Sequence, residues 1–504
     1  MKKDMHFSDS YIWLVLLLLF VIALKLLYFI FRYHLIIWDE AVYLAMGKWI
    51  YSWGSVGLWE HIRPPGLPLM LGSLWKMGLP YVASADILML GFVIGSVILT
   101  YLIARDLFGT RVAFISAAFL YLTPFFFFNS FKIMTGIPSM FFVLVSVYLF
   151  IKKRFVLSGA SSAAAFLFRY PAGLIFVALN LIFVIGFLKK AGFLKKIKLR
   201  GFIRPFAGYN MAFLFILSAL LVANKLTYGQ FFGPLVLASA HQSTAIGNIE
   251  GVLASVAYYP ALIARTCPFL AVFFLLFCIA YVFPVFPISP ESMKKVRNLR
   301  YVVVPFLVFF AYFTIIPHKQ ERFALLFLPF LSIIASLGFY HLYSLARLDA
   351  GKKILNKKLF QYLLIAALVV LGLVSAYHDY VVFDKGFVRD KPEFVDDYYR
   401  FFDLHGFSGT ILTSDPLHAA YDDNRYFHFY NNISDAMLLY KLYIGDVDAV
   451  IYNKASYPCF SDECEQDRAR LEAEIMAGNV LVYNKTWWGE EKQIYLRPDK
   501  VLHD

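Results

Sequence analysis

Eleven largely apolar stretches recur between Tyr11 and Val382. They lie near 11–31, 84–104, 112–128, 137–151, 155–169, 172–188, 206–223, 257–283, 301–316, 323–345 and 360–382. About 20 apolar residues carry a helix across the hydrocarbon core of a bilayer, where every backbone group must be paired internally. The shorter stretches fit where neighbouring helices shield their ends. The 504 residues are 60% hydrophobic and 16% charged, whereas soluble domains run at about 45–50% and 25%. A chain this apolar cannot cover itself with polar surface, so a purely cytosolic or secreted protein is excluded. The expectation is a polytopic α-helical membrane protein with about eleven transmembrane helices.

The formal charge of +13 would suggest nucleic acid in a soluble protein, but it is unevenly placed. From Lys385 onward there are 13 basic and 21 acidic residues, a net of −8, which leaves +21 for the first 384. The basic residues cluster at Lys2-Lys3, Arg105 with Arg111, Lys152 to Arg154, Lys189 to Arg204, Lys294 to Arg300, and Arg347 to Lys358. Short cytoplasmic loops hold such excess. All six clusters fall inside if the N-terminus is cytoplasmic and the eleven spans alternate. The charge is therefore topological, and no nucleic-acid partner is expected. The first apolar run lacks a small-residue cleavage site and exceeds a signal-peptide core, so it reads as an anchor.

Residues 1–383 then form a transmembrane domain and 384–504 an extracytoplasmic α/β domain, with the plasma membrane as the expected location. Strand-like runs fall at Thr410–Thr413, Ala449–Tyr452, Val480–Tyr483 and Gln493–Leu496, and a charged helical stretch near Glu463–Ala477. Gly66 to Leu79 is too short to span, and counting it would reverse every later loop. It reads as an interfacial or re-entrant helix within a first external loop of about 32–83.

That loop carries the first candidate site. Asp39 and Glu40 open a helix whose apolar side would hold Tyr43, Met46, Trp49, Ile50 and Trp53. Acids in a first turn also stabilise a helix N-terminus, so the pair would serve as a cap or as a carboxylate that takes a proton from an acceptor. Arg63, before Pro64-Pro65, would snorkel or face a lipid phosphate. His318, Lys319, Glu321 and Arg322 crowd a short external turn, against the usual topology of basic residues. Ionisable groups at a membrane edge point to a functional site, here an anion site on the same side of the membrane as Asp39. Weaker candidates for substrate contact are Tyr43, Lys132, Arg169, His241 and Glu321. Cys267 and Cys278 read as buried apolar residues, and Cys459 with Cys464 as a pair for which an external disulfide is permitted. Asn432-Ile433-Ser434 and Asn484-Lys485-Thr486 are glycan acceptor triplets.

The combination "WDEAVY", "RPPGLP" and "HKQERF" resembles the GT-C glycosyltransferases. More narrowly it resembles the group holding the protein O-mannosyltransferases and the lipid A aminoarabinose transferases, with "HKQERF" also similar to a motif of the GPI mannosyltransferases. The likeness covers about residues 10–345. It implies a GT-C membrane enzyme that takes a sugar, hexosyl or pentosyl, from a polyprenyl- or dolichyl-phosphate donor. The acceptor would be a protein, lipid or glycan on the outer face. Asp39 then matches the acidic catalytic position with Glu40 beside it. Arg63, His318, Lys319 and Arg322 become donor-phosphate ligands. Relatives often carry an acid before "xP" in an outer turn, whereas "TGIP" places Gly136 there; a divalent metal is compatible with this reading but not required by it. The competing expectation is a polytopic lipid flippase or transporter, which would concentrate its ionisable groups at the midplane of repeated halves.

Overall fold

The computed structural model describes residues 7–191, 200–242, 249–282, 298–345, 366, 370–374, 377, 388–428, 433–443, 445–457, 459, 461–487 and 489–501. The chain divides into two compact units. The first comprises Met1–Ile30, Ile62–Gly66 and Asp86–Gly386, and the second Phe31–His61, Leu67–Ala85 and Phe387–Asp504. Most of residues 32–83 thus group with the C-terminal residues. A boundary drawn by composition at 383 does not capture this, because composition reports the surrounding solvent and not packing partners.

In chain order the helices are α1 (Phe7–Phe31), α2 (Trp38–Tyr51), α3 (Gly66–Lys76), α4 (Tyr81–Phe108), α5 (Thr110–Tyr121), α6 (Pro124–Asn129), α7 (Gly136–Ile151) and α8 (Phe155–Phe168). They continue as α9 (Leu174–Ala191), α10 (Arg200–Tyr228), α11 (Gly233–Gln242), α12 (Ile249–Thr266), α13 (Pro268–Val282), α14 (Arg300–Ile315) and α15 (Leu328–Leu345). Among the described residues Ile12–Phe31, Tyr81–Phe108, Tyr170–Leu188 and Phe202–Tyr228 are each long and apolar enough to cross a membrane. Five shorter apolar helices, α5, α7, α8, α14 and Leu328–Tyr343, fall on expected stretches. The stretch 257–283 is not one span. Ser255–Thr266 and Pro268–Ala280 meet at a 116° bend, because Pro268 has no N–H to continue the ladder and is suited to begin a new helix. Most of 360–382 lies outside the described residues.

Within the first unit, small and hydroxylated residues let helices approach closely, as expected where apolar side chains meet equally apolar lipid. Ser162 of α8 hydrogen-bonds Ser146 of α7 at 2.7 Å and the Tyr209 hydroxyl of α10 at 2.9 Å. A methyl built on Gly159 would lie 2.0 Å from the Tyr209 carbonyl oxygen. Asn180 of α9 and Asn210 of α10 exchange amide hydrogen bonds at 3.2 and 3.0 Å.

The second unit is built on a five-stranded sheet in the order β2-β1-β3-β5-β4. Its strands are β1 (Thr410–Thr413), β2 (Arg425–His428), β3 (Ala449–Asn453), β4 (Val480–Trp487) and β5 (Glu490–Leu496). β1 pairs in parallel with β2 and β3; β5 pairs antiparallel with β3 and β4. Side chains alternate across a strand, and two cores follow. Ala449 and Ile451 enter one with Ile411 and Ile494, while Val450 and Tyr452 enter the other with Leu412 and Tyr495. The second core is closed by α18 (Ile433–Tyr443) and α19 (Asp462–Gly478), through residues such as Ala436, Tyr440, Leu471 and Ile475. The first is closed by Val42, Ala45 and Met46 of α2 together with Phe394, Tyr398 and Phe402. Phe394 and Tyr398 precede α16 (Phe401–Leu404), which carries Phe402, and α17 (His418–Tyr421) follows β1. Cys459 and Cys464 form a disulfide at the start of α19.

The second helix departs from an amphipathic interfacial design. Glu40 through Lys48 are all buried, so the helix has no solvent-facing polar side along that stretch. Trp53 lies beyond the helix end, with a left-handed backbone and 96% exposure.

Candidate functional site

At the start of α2 the two acids do different things. The Ile37 N–H donates to Glu40 Oε2 at 3.0 Å, and His34 Nε2 lies 3.2 Å from the same oxygen. Glu40 is 1% exposed. It therefore fills the position of a capping-box acid, which reaches back to an otherwise unpaired donor at the helix start. Asp39, one residue earlier, is only half-buried. Trp38 and His428 pack edge-to-face beside it in sequence, with ring centroids 5.2 Å apart. Tyr43, one turn further, is buried.

In the first unit the turns around the start of α7 bring cations together. Arg169, directly after α8, stacks its guanidinium 4.7 Å from the Phe323 ring centre. A methyl built on Gly136, the first residue of α7, would lie 3.7 Å from Arg169 Nη1. Arg322 donates through Nε to Gln320 Oε1 at 2.5 Å and reaches Met134 Sδ at 3.9 Å through Nη1. Two guanidiniums thus flank the Met134–Gly136 turn that opens α7, where helix N–H groups and dipole favour an anion. The Arg63–Gly66 turn abuts the end of α8, since a methyl on Gly66 would lie 2.7 Å from the Leu167 carbonyl oxygen. His318 Nε2 contacts Gln320 Nε2 at 2.7 Å, and its ring lies 5.9 Å from that of Phe323.

Lys319 has a more structural position than its motif implies. Its ammonium donates to the Phe313 and Thr314 carbonyls at 2.6 and 2.8 Å, capping the end of α14. Burial pushes it down to about 8, which leaves it cationic at neutral pH. Glu321 is exposed. Lys132 sits over the Phe128 ring at 3.8 Å. His241 is in α11, with its side chain outside the described residues.

Two buried lysines escape a motif-led reading. Lys25 of α1 is 1% exposed, donates to the Ser130 carbonyl and lies 3.4 Å from the Phe131 ring centre. A lysine inside an apolar span was the available signal. Lys48 of α2 is 3% exposed; nothing in its local sequence marks it, because its partners lie in the C-terminal region. Among the described residues no group of three or more His, Cys, Asp or Glu side chains is arranged to hold a metal ion.

Residues 80–204 match the family described as dolichyl-phosphate-mannose-protein mannosyltransferase. Solved structures share the fold across nearly the whole chain. ArnT from Cupriavidus metallidurans, crystallised with undecaprenyl phosphate, superposes with a TM-score of 0.63 at 12% identity over 97% of this chain and 98% of that one. The oligosaccharyltransferase of Archaeoglobus fulgidus gives 0.58 at 12% identity over 89% and 70%. The arabinofuranosyltransferase AftD from Mycobacteria gives 0.52 at 11% identity over 95% and 41%. No curated protein sequence matches significantly. The GT-C resemblance seen in the three short motifs is thereby borne out at the level of fold.

Proposed function

We propose that the chain is a membrane glycosyltransferase that moves a sugar from a polyprenyl- or dolichyl-phosphate carrier to an acceptor on the outer face, by a single inverting displacement. The observation that carries this is the pair of guanidiniums, Arg169 and Arg322, at the first turn of α7, where Gly136 brings no opposing carboxylate. A lipid-linked sugar phosphate presents one charged group at the membrane edge. Its leaving as a phosphate concentrates negative charge that preorganised donors stabilise. The fold relatives support the choice of donor: ArnT was crystallised with undecaprenyl phosphate, and the Archaeoglobus enzyme with dolichol-phosphate and an inhibitory peptide.

The acceptor hydroxyl or amine attacks the anomeric carbon, and its proton passes to the Asp39 carboxylate. The bond from that carbon to phosphate oxygen breaks, and the electron pair leaves with the phosphate. Arg169 and Arg322, with Arg63 and His318 on neighbouring turns, neutralise that charge. Lys319 holds the turn that carries His318 and Arg322, and Glu40 holds the turn that carries Asp39.

The test is transfer from a panel of radiolabelled polyprenyl-phosphate sugars by purified wild-type, Asp39→Asn and Arg169→Ala proteins in lipid vesicles. Loss of transfer in both variants, with folding retained, is expected. Unimpaired transfer by Asp39→Asn overturns the base, and lipid scrambling without sugar consumption replaces the enzyme by a flippase.

A further inference from the structure

We infer that the C-terminal sheet is the mount for the acidic start of α2, and that Lys48 is the positioning residue joining them. This rests on the role of Asp39 proposed above and extends it to residues nearly 400 positions away in sequence. Lysine is almost never buried without partners, and the partners here come from one turn. Lys48 Nζ donates to the Asp422 carbonyl at 2.5 Å and to the Ala420 carbonyl at 3.5 Å, and pairs with Asp423 Oδ1 at 3.1 Å.

That turn is itself fixed. The Tyr426 hydroxyl donates to Asp422 Oδ2 at 2.5 Å, and the Asn424 N–H to Asp422 Oδ1 at 2.9 Å. The chain after α2 then joins the sheet edge. The Gly57 N–H donates to the Asn424 carbonyl, and the Gly57 carbonyl accepts from the Tyr426 N–H, both at 2.8 Å. Gly57 has φ +87°, and a methyl there would lie 2.2 Å from the Ala45 carbonyl oxygen. On a second side α2 meets α3 backbone to backbone, with a methyl on Gly47 only 2.7 Å from Gly72 N. The Tyr81 hydroxyl donates to the Leu44 carbonyl at 2.7 Å, and Trp75 Nε1 to Asp423 Oδ1 at 3.1 Å.

Asp39 stands nine residues before Lys48 on one helix, a distance of about 13 Å at 1.5 Å per residue. A helix clamped at this end transmits its orientation to the other. A helix held only by its apolar face would keep freedom to rotate and slide.

The experiment compares Lys48→Met and Lys48→Arg with wild type in full-length protein reconstituted in vesicles, by hydrogen exchange and by donor-saturation kinetics. Hydrogen bonds to a charged group are worth about 1.5–3 kcal/mol, so exchange of the α2 amides should quicken about 10- to 100-fold in Lys48→Met. Exchange in α7 and α8 should stay unchanged. Transfer kcat should fall with KM for the lipid donor unaltered, and Lys48→Arg should recover part of both losses. Wild-type exchange in α2 of Lys48→Met overturns the mount, as does a KM effect with unchanged kcat. Should Lys48→Met fail to fold, Asp423→Ala, which removes the 61%-exposed partner, must show the same effects in smaller measure or the inference falls. If Asp39→Asn transfers normally, the base assignment fails alone, because the exchange result judges the mount without reference to activity.

Discussion

His34 Nε2 lies 3.2 Å from Glu40 Oε2, the same oxygen that accepts the Ile37 N–H. This commits Glu40 to holding the start of α2, whereas the base proposed above is Asp39. Glutamine also serves at the reaching-back position of a capping box. Glu40→Gln should therefore retain transfer within a few-fold, whereas Asp39→Asn should lose about 10²–10⁴ in kcat, the usual contribution of a positioned base. Parallel kinetics on the two variants check this. Equal losses would show that the acids act as a unit.

Much of this was legible in the chain. Apolar runs located the helices, and three separated motifs led to the fold. Short strand-like runs located β1, β3, β4 and β5. The strand β2 was hidden because Arg425–His428 mixes charge and aromatics directly after the Asp422-Asp423-Asn424 turn. The break at Cys267 was hidden because Pro268 sits inside an apolar run whose hydropathy does not change. The different fates of Asp39 and Glu40 depend on His34 and Ile37 geometry, which a linear pattern cannot express. The burial of Lys48 depends on a contact with |i−j| of 374, beyond the reach of any local window.

The space beside Gly136 permits a direct electrostatic test. A side chain there first meets the flexible end of Leu325, Cδ1 at 2.7 Å, and then Arg169 Nη1 at 3.7 Å. Gly136→Asp places a carboxylate against the guanidinium proposed to hold the donor phosphate. Weakening one charge-assisted bond of about 1.5–3 kcal/mol should raise KM for the lipid donor about 10- to 100-fold. Gly136→Ala is the steric control and should change KM little. Similar losses in both variants would assign the effect to Leu325 displacement.

His418 gives the C-terminal sheet a pH dependence of known sign. It is fully buried among Tyr398, Tyr399 and Phe402, and burial pushes its imidazole down to about 3. The unfolded chain takes up the proton near pH 6.5, while the folded chain refuses it. Stability is therefore complete above 6.5 and falls as pH drops from 6.5 toward 3. Asp415 acts oppositely: burial raises it to about 6, so its contribution is complete below its ordinary value of 3.8 and falls as pH rises through 6. His418→Phe should be favoured over wild type by about 2 kcal/mol more at pH 5 than at pH 8, at 1.36 kcal/mol per pH unit. Asp415→Asn should instead gain on wild type between pH 4 and pH 7. Exchange of the Ile411 to Thr413 amides reads both. A pH-independent difference for His418→Phe would mean that the imidazole titrates normally in the folded chain.

The approach of α8 to α10 supplies a test of the helical unit that is independent of chemistry. At Gly159 a methyl would lie 2.0 Å from the Tyr209 carbonyl oxygen, which is backbone and cannot swing aside. Gly159→Ala must separate the helices and stretch the hydrogen bond of 2.9 Å between Ser162 and the Tyr209 hydroxyl. Overpacking of this kind costs about 1–3 kcal/mol, whereas losing the hydroxyl bond alone should cost about 1 kcal/mol or less in a membrane. Gly159→Ala should therefore lower the midpoint of thermal unfolding in detergent more than Ser162→Ala does. At Gly208, where a built methyl meets only the Val156 Cγ2 at 3.2 Å, alanine should be tolerated. A Gly159→Ala protein as stable as the Gly208→Ala protein would show that α8 and α10 do not pack this closely.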